Sequence, residues 1–570
     1  MQEFVERIRI ALAAESGLEA ADLKIELPRD PSLGDFAFPC FPLARTLKKA
    51  PPAIAAELGP KVDAALDGIS VEATGPYLNF RIDRAALSQS VVGGILIAGA
   101  DYGGSDEGAG KTIVIDFSSP NIAKPFHVGH LRSTIIGASI KRMHDALGYR
   151  TVGINHIGDW GSQFGKLVAA LDLWGQDLNL DEDPIGTLVA LYQRYDKESK
   201  ENPDLVEAGR AAFRELESGV DGPVRQMWRR LTELSLREFE RIYTRLGVSF
   251  DHIRGEAFYE DFLDQTVERI VATGITEESK GALIVDLETE GEEAPCLLRK
   301  SDGTTLYATR DLAAMFHRWN EFEFDRCLYV VGGDQRLHFR QLKGVLRRME
   351  TPWEDRIEHV VFGLLRLPEG KLSTRQGRVV LLDDLLDSAV DEAKRVISEK
   401  NPDLANADEI AQMVGYGAVV FHDLKKERIK DVLFDWKEVI SFEGETGPYV
   451  QYTHVRMASI LRKATAKGID IGPGSEASVD WSLLADAGPL LRHLGCFPDV
   501  LKSAAKAAEP SLISTYVLQL SREMNSWYVD HRVLSEDEAL TSARLALVRA
   551  AKIALHNGLT LLGVGAPEEM

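Results

Sequence analysis

Cysteine is scarce in this chain: Cys40, Cys296, Cys327 and Cys496 are the only four among 570 residues. They stand far apart and show no metal-ligand spacing, so neither a disulfide framework nor a zinc site is expected, and a reducing cytoplasm is the natural setting. Long apolar runs are also missing. The longest, Val91 to Ala100, is half of the roughly 20 residues a membrane helix needs, so no span is expected. The N-terminus alternates Glu3, Glu6 and Arg7 with Phe4, Val5 and Ile8, an amphipathic helix rather than the charged and apolar halves of an export signal. No internal repeat or low-complexity tract occurs. Positive charge is in deficit: 66 Lys and Arg against 88 Asp and Glu leave a net −22. That argues against sequence-independent coating of nucleic acid, which relies on neutralising phosphates, but leaves room for a local basic track.

The 45% hydrophobic content is enough for several cores, and the length suggests three to four domains. Residues 1–105 read as a mixed helix and strand unit ending in Gly103-Gly104-Ser105-Asp106. Strand candidates at 112–117, 151–156, 327–331 and 359–365 alternate with helices, as a parallel sheet requires, so 106–380 is expected to be a Rossmann-type α/β domain. Within it, the charged stretch at about 167–250 is expected to be a helical insertion. Leu297 to Lys300 and Thr304 to Tyr307 flank an Asp302-Gly303 turn and read as a hairpin. From about Leu381 helical periodicity dominates, giving a helical connection over 381–440 and an all-α bundle over 441–570. The fold class is therefore multidomain α/β, with an α+β N-terminal domain.

The most informative stretch is Ser118-Ser119-Pro120-Asn121-Ile122-Ala123-Lys124-Pro125-Phe126-His127-Val128-Gly129-His130. The β-branched Thr112 to Phe117 precedes it, and Leu131, Ile135, Met143 and Leu147 follow at roughly helical spacing, so it reads as strand, loop, helix. Backbone N–H groups at such a helix start attract phosphate, and Gly129 has no side chain to hold a base or ribose away. With 13 His and 48 Gly in the chain, a His-X-Gly-His match is expected by chance only about 0.02 times. A helix start with two solvated histidines remains open. A metal pair is disfavoured, because no Cys or carboxylate nearby completes a ligand set. Farther on, Tyr449 to Lys467 contains no acidic residue, and Tyr449, Tyr452, Arg456 and Lys463 recur at 3–4 spacing. This is either an ordinary amphipathic helix with a cationic side or a platform on which single-stranded bases stack.

The signature segment, with Leu131-Arg132-Ser133-Thr134 after it, resembles that of arginyl-tRNA synthetases, a branch of the class I aminoacyl-tRNA synthetases. The blocks Asn155 to Gly165, Leu306 to Ala313, and Gly332-Gly333-Asp334-Gln335 with His338-Phe339 are similar to the same family, and the resemblance runs from Gly75-Pro76-Tyr77-Leu78-Asn79-Phe80 to the Gly558 to Gly563 ending. It implies ATP-dependent activation of L-arginine to arginyl-adenylate and transfer to the 3′ end of tRNA(Arg), with tRNA needed before activation. A nucleotidyltransferase would also use His-X-Gly-His but would lack the tyrosine-basic helix, and a non-catalytic RNA-binding relative would be expected to have lost the histidines or the pocket carboxylates.

Carried over residue by residue, the resemblance implies that His127, His130, Gly129, Lys124, Gly333 and Asp334 hold ATP. Activation needs charge stabilisation on phosphate rather than covalent chemistry, which suits histidine N–H groups and a lysine point charge. It also implies that Asp311, Tyr307 and Glu256 take the guanidinium fork, that Asn121 and Gln335 take the α-amino end, and that Tyr77, Asn79, Tyr449, Tyr452 and Arg456 contact tRNA. A carboxylate near a helix start, as Asp311 would be, is also a common dipole partner. The second phosphate element of the class is a loop with two lysines; here it corresponds to Lys371-Leu372-Ser373-Thr374-Arg375, where Thr374 replaces the second lysine and Lys371 and Arg375 remain. The implied partners are tRNA(Arg), L-arginine and ATP with Mg2+ as substrate. No prosthetic group, no resident metal and no membrane contact are implied, and a monomer is expected.

Overall fold

The computed structural model describes residues 1–570 apart from 29, 31, 176, 177, 179, 181, 293, 367–379, 434, 440, 442, 443 and 473, and apart from the side chains of 436 and 437. A five-stranded parallel sheet forms the centre. Its order across the sheet is Ile357–Phe362, Arg326–Gly332, Thr112–Asp116, Arg150–Asn155 and His252–Ile253. In chain order this is 5-4-1-2-3, so the winding reverses between the first and fourth strands, and a crevice opens there beyond their carboxyl ends. The four expected strands are present; the two-residue edge strand at 252–253 carries too little pattern to be read.

Alternation decides what each face of the sheet buries. Ile113, Ile115, Phe117, Leu328 and Val330 face one core, with Leu131 and Ile135 of the helix Val128–Ala146. Val114, Val152, Ile154, Cys327 and Tyr329 face another, with the helices Tyr307–Phe322 and Arg336–Arg348. Both faces are covered, which is why these strands are continuously apolar. Gly137 lets Val128–Ala146 lie directly on the sheet: a Cβ there would meet the Phe117 side chain at 2.3 Å.

Four helices, Ser162–Trp174, Pro184–Glu198, Pro203–Glu217 and Pro223–Leu246, fill the expected insertion between the second and third strands. The expected hairpin at 297–307 forms only in part. Arg299 bridges Thr305 around Gly303, but the chain enters a helix at Tyr307, and Cys296–Arg299 instead joins an antiparallel sheet with Thr276–Ser279 and Ala282–Val285.

The N-terminal unit packs Gln2–Ser16 and Pro51–Ala65 around an antiparallel sheet ordered Phe36–Pro39, Tyr77–Ile82, Ile69–Thr74. It docks on the C-terminal bundle through the fully buried Asp35, which pairs with Arg84 and Arg492 at 2.9 Å each. The glycine-rich segment that follows is packed, not free: the Tyr102 hydroxyl donates to the Leu494 carbonyl at 2.7 Å, and Asn557 donates to the Tyr102 carbonyl at 3.0 Å. Glu538–Leu562 is the one described helix long and apolar enough to cross a membrane, and most of it is buried against Ser511–Asp530, Gly447–Ala466 and Val128–Ala146.

Candidate active site

The loop that leaves the first strand is held in an uncommon conformation. Ser118, Ser119 and Ala123 have φ of 73°, 50° and 57°, a region that costs non-glycine residues about 1–3 kcal/mol each and persists only where the surroundings enforce it. Here hydrogen bonds do so. The Ser118 amide donates to Ser133 Oγ at 2.9 Å, and its hydroxyl lies 2.8 Å from both Thr134 Oγ1 and the Tyr243 hydroxyl. Asn155 Nδ2 donates to the same tyrosine oxygen at 3.0 Å, while its Oδ1 accepts from the Ser119 amide at 3.2 Å. The Ala123 amide donates to Ser235 Oγ at 2.9 Å. Tyr243 and Ser235 belong to the last insertion helix, so the insertion props the loop from behind. These supports have no motif of their own, and reading the sequence missed them.

His127 caps the helix Val128–Ala146: its Nδ1 accepts from the Gly129 amide at 3.0 Å, and His130 Nδ1 accepts from the His127 amide at 3.2 Å. The rings lie 3.9 Å apart. Because each Nδ1 accepts, each proton sits on Nε2, and both rings present a donor outward. Burial, reinforced by the Lys124 charge, pushes both histidines below their usual range, His130 to about 3. They are therefore neutral donors. Lys124 itself is exposed.

The crevice at the strand switch point, about 490 Å³, is lined by Asn121, Glu256, Tyr307, Asp311, Asp334 and Gln335, six of the residues expected from the sequence. His127, Gly129, His130 and Lys124 lie outside that lining, on the loop and helix start beyond Asn121, and Gly333 sits beside Asp334 in the turn Gly333–Gln335. Asn121 is seated by its bridge to Gly158, where a Cβ would fall 2.0 Å from Asn121 Oδ1, so only glycine fits. Tyr307 and Asp311 are one turn apart on the same helix and share the face toward the crevice, as their spacing predicts. Asp311 Oδ2 is 2.6 Å from His338 Nε2.

Asp116, Ser119, His156, Arg310, Tyr329 and His338 also line the crevice, and no role was assigned to them from sequence. Under its floor Asp116 pairs at 2.8 Å with the buried Arg318, which lies over the Tyr329 ring. Arg310 pairs with Glu260 at 2.7 Å. Burial pushes Glu256 up to about 8, with the neighbouring Arg310 opposing the shift, and pushes Asp159 up to about 6 although it accepts from the Ala257 amide at 2.9 Å.

Lys371, Thr374 and Arg375 lie outside the described residues. The chain on either side of them is anchored at the histidine pair and its helix. The Val128 amide donates to the Val380 carbonyl at 3.2 Å, His127 bridges Leu381, and Arg132 Nη1 donates to the Gly363 carbonyl at 2.5 Å.

Of the residues expected to meet tRNA, Tyr77 is 38% exposed with Phe41 edge-on at 5.9 Å. Asn79 is a correction: at 3% exposure in the middle strand of its sheet, it presents no amide to a base. Gly447–Ala466 is a helix with Val450, Met457, Ile460 and Leu461 buried. On its other side Tyr452 is exposed, and Arg456 lies over the Tyr452 ring at 5.1 Å and the Tyr528 ring at 5.9 Å. Asn525 braces the group, accepting from Arg456 at 2.6 Å and donating to the Tyr449 hydroxyl at 3.1 Å. Tyr449 and Arg456 are half-buried, and Tyr452 is the exposed ring of the group.

A 5-4-1-2-3 parallel sheet, with a histidine-capped helix at its first strand and an acidic crevice at the switch point, is the catalytic architecture of a class I aminoacyl-tRNA synthetase. Comparison with known proteins agrees. The family model "tRNA synthetases class I (R), catalytic domain" matches residues 91–436, "Arginyl tRNA synthetase N terminal domain" matches 2–82, and "DALR anticodon binding domain" matches 450–570. Arginine–tRNA ligases of Exiguobacterium sibiricum and Pediococcus pentosaceus are 46% and 47% identical, over 100% and 96% of this chain and 99% and 95% of their own. The solved arginyl-tRNA synthetase of Thermus thermophilus superposes with a TM-score of 0.83 at 27% identity, with complete coverage of both chains. The chain belongs to the arginyl-tRNA synthetase family. It is an arginine–tRNA ligase, which activates L-arginine with ATP as arginyl-adenylate and transfers it to the 3′ end of tRNA(Arg).

Proposed function

We propose that the switch-point crevice is the arginine pocket and the histidine-capped helix start is the phosphate site of this ligase. The observation that carries the reading is the convergence of Asp311, Tyr307 and Glu256 on one crevice that Asn121, at the start of the loop to His127, also lines. A guanidinium presents five N–H donors in a plane, and two carboxylates with a phenol match that fork. Asn121 and Gln335 take the α-amino end, which aims the carboxylate toward the α-phosphate of ATP for in-line attack. As pyrophosphate leaves, charge builds on phosphate oxygens, and the Nε2–H groups of His127 and His130 donate to them without a change in protonation. Gly129, Gly333 and Asp334 shape the nucleotide side. Lys124, Lys371 and Arg375 supply cations, and Mg2+ arrives with ATP as part of the substrate. On the tRNA side, Tyr77 and the Tyr452–Arg456 pair stack on unpaired bases.

The reading includes the domain limits 1–105, 106–380, 381–440 and 441–570, and a monomer working in the cytoplasm. The burial of Cys40, Cys296 and Cys327 as free thiols and the burial of the helix Glu538–Leu562 support that setting. ATP–pyrophosphate exchange with each amino acid, with and without tRNA(Arg), tests it. Exchange is expected with arginine only and to depend on tRNA; equal exchange with lysine would sink the pocket assignment.

A further inference from the structure

Of the carboxylates that line the arginine pocket, Asp116 and Asp311 have basic partners, Asp334 is exposed to solvent, and Glu256 is set apart by a buried carboxylate oxygen that nothing among the described residues compensates. Asp116 pairs with Arg318 at 2.8 Å, Glu260 with Arg310 at 2.7 Å, and Asp311 meets His338 Nε2 at 2.6 Å. Glu256 forms no ion pair among the described residues, and its buried Oε2 has no hydrogen-bond partner there. The groups facing it are mostly of its own sign or neutral: Asp311 from the helix Tyr307–Phe322, Asp159 from the segment before Ser162, Glu260 from its own turn and the buried His156 from the second strand's end. Among the described residues Arg310 is the one cation facing it, and that side chain pairs with Glu260. An uncompensated buried carboxylate keeps its proton until a cation arrives.

We propose that Glu256, at the guanidinium end of this pocket, tells a charged guanidinium from its neutral urea isostere because only the guanidinium displaces its proton. The inference rests on the pocket assignment above and adds the proton. In the empty pocket Glu256 is a carboxylic acid. When arginine enters, the guanidinium keeps its charge, the Glu256 O–H bond breaks, the proton leaves to solvent, and a buried ion pair remains. Citrulline carries a ureido oxygen in place of one guanidinium nitrogen and no charge; Glu256 stays protonated against it and donates to that oxygen. Discrimination therefore rises with pH. Burial sets the carboxyl of the empty pocket at about 8, so below that value arginine binding is linked to release of one proton and tightens about tenfold per pH unit, then levels off.

Calorimetric titration of the full-length enzyme with L-arginine, in buffers of different ionisation enthalpy, counts the protons. Close to one released per arginine is expected at pH 7, falling toward none by about pH 9. Glu256→Gln is expected to bind arginine more weakly and release none. Competition by citrulline is expected to show no tightening between pH 6 and 8. Arginine binding at pH 7 without proton release, or citrulline affinity that climbs with pH as steeply as arginine affinity, would overturn the inference and leave the pocket assignment standing. A failure of arginine to bind at any pH would overturn both. If Glu256→Gln does not fold, the contrast between arginine and citrulline in the parent enzyme decides by itself.

Discussion

The carboxylate of Asp311 sits one turn into its helix, with His338 as its one side-chain partner among the described residues, so its oxygens are not tied up by a permanent cation such as arginine. Replacing it by alanine leaves the guanidinium without a charge-assisted acceptor, and Asp311→Ala is expected to weaken arginine binding by about 2–5 kcal/mol while ATP binding stays near the parent value. Arginine KM and an ATP binding isotherm check both halves. Lys124 is exposed and close enough to depress both histidines, so it suits a point charge on phosphate. Lys124→Ala should slow adenylate formation at least about tenfold, about 1.4 kcal/mol of transition-state stabilisation, with little change in arginine affinity in single-turnover assays. His130 also contributes to the pH dependence of stability. Its folded value of about 3 lies below the ~6.5 of an unfolded histidine, so the unfolded chain takes up the proton first. The contribution is present above about pH 6.5 and is lost as pH falls from there toward 3. His130→Asn is expected to flatten the fall in urea midpoint between pH 6.5 and 4 by the share that belongs to this ring.

At the scale of elements, the helix Pro223–Leu246 matters more than its place in an insertion suggests. Tyr243 joins Ser118 and Asn155, and the strained loop depends on that join. Tyr243→Phe keeps the ring and removes the hydroxyl, leaving two buried polar groups short of a partner at about 1–3 kcal/mol. A lower thermal midpoint is expected together with a lower kcat for ATP–pyrophosphate exchange; an unchanged kcat would show that the loop holds its shape without the helix. The sequence displayed the loop and the histidines clearly, because helix capping and strand pattern are local. It could not show Ser235 or Tyr243, which lie 112 and 125 residues from their partners in an unremarkable amphipathic helix. Local propensity also misread Thr304 to Tyr307, where an Asp-Gly turn led into a helix because Tyr307 begins the element that packs on the sheet.

Across the whole molecule, Arg132 ties the helix Val128–Ala146 to the helical half. It is 1% exposed, pairs with Asp423 at 3.0 Å and donates to the carbonyls of Gly363 and Lys430. Arg132→Ala would leave the Asp423 carboxylate buried and unpaired, and a loss of about 3–5 kcal/mol is expected in denaturant unfolding. The two patches proposed to face tRNA stand at opposite ends of the sequence, Tyr77 in the N-terminal sheet and Tyr452 in the bundle. Tyr77→Ala and Tyr452→Ala should each weaken tRNA(Arg) binding by about 1–3 kcal/mol while leaving the thermal midpoint unchanged. A filter-binding titration and a melting curve on the same preparations separate those effects.

By itself the sequence determined the family, the parallel sheet and the histidine pair at a helix start, because each is written in contiguous motifs or in periodicity that survives without partners. Tertiary structure decided the rest. Asn79 alternates with Tyr77 as a surface residue would, yet it is buried while Tyr77 and Arg81 on the same face of the strand stay exposed, a difference no local pattern shows. Glu256, Asp311 and Asp116 come from three distant segments, and which of them acquires a partner depends on where Arg318, His338 and Arg310 fall in space. The proton on Glu256 follows from that placement, because burial and the neighbouring charges are properties of the folded pocket and of no stretch of chain.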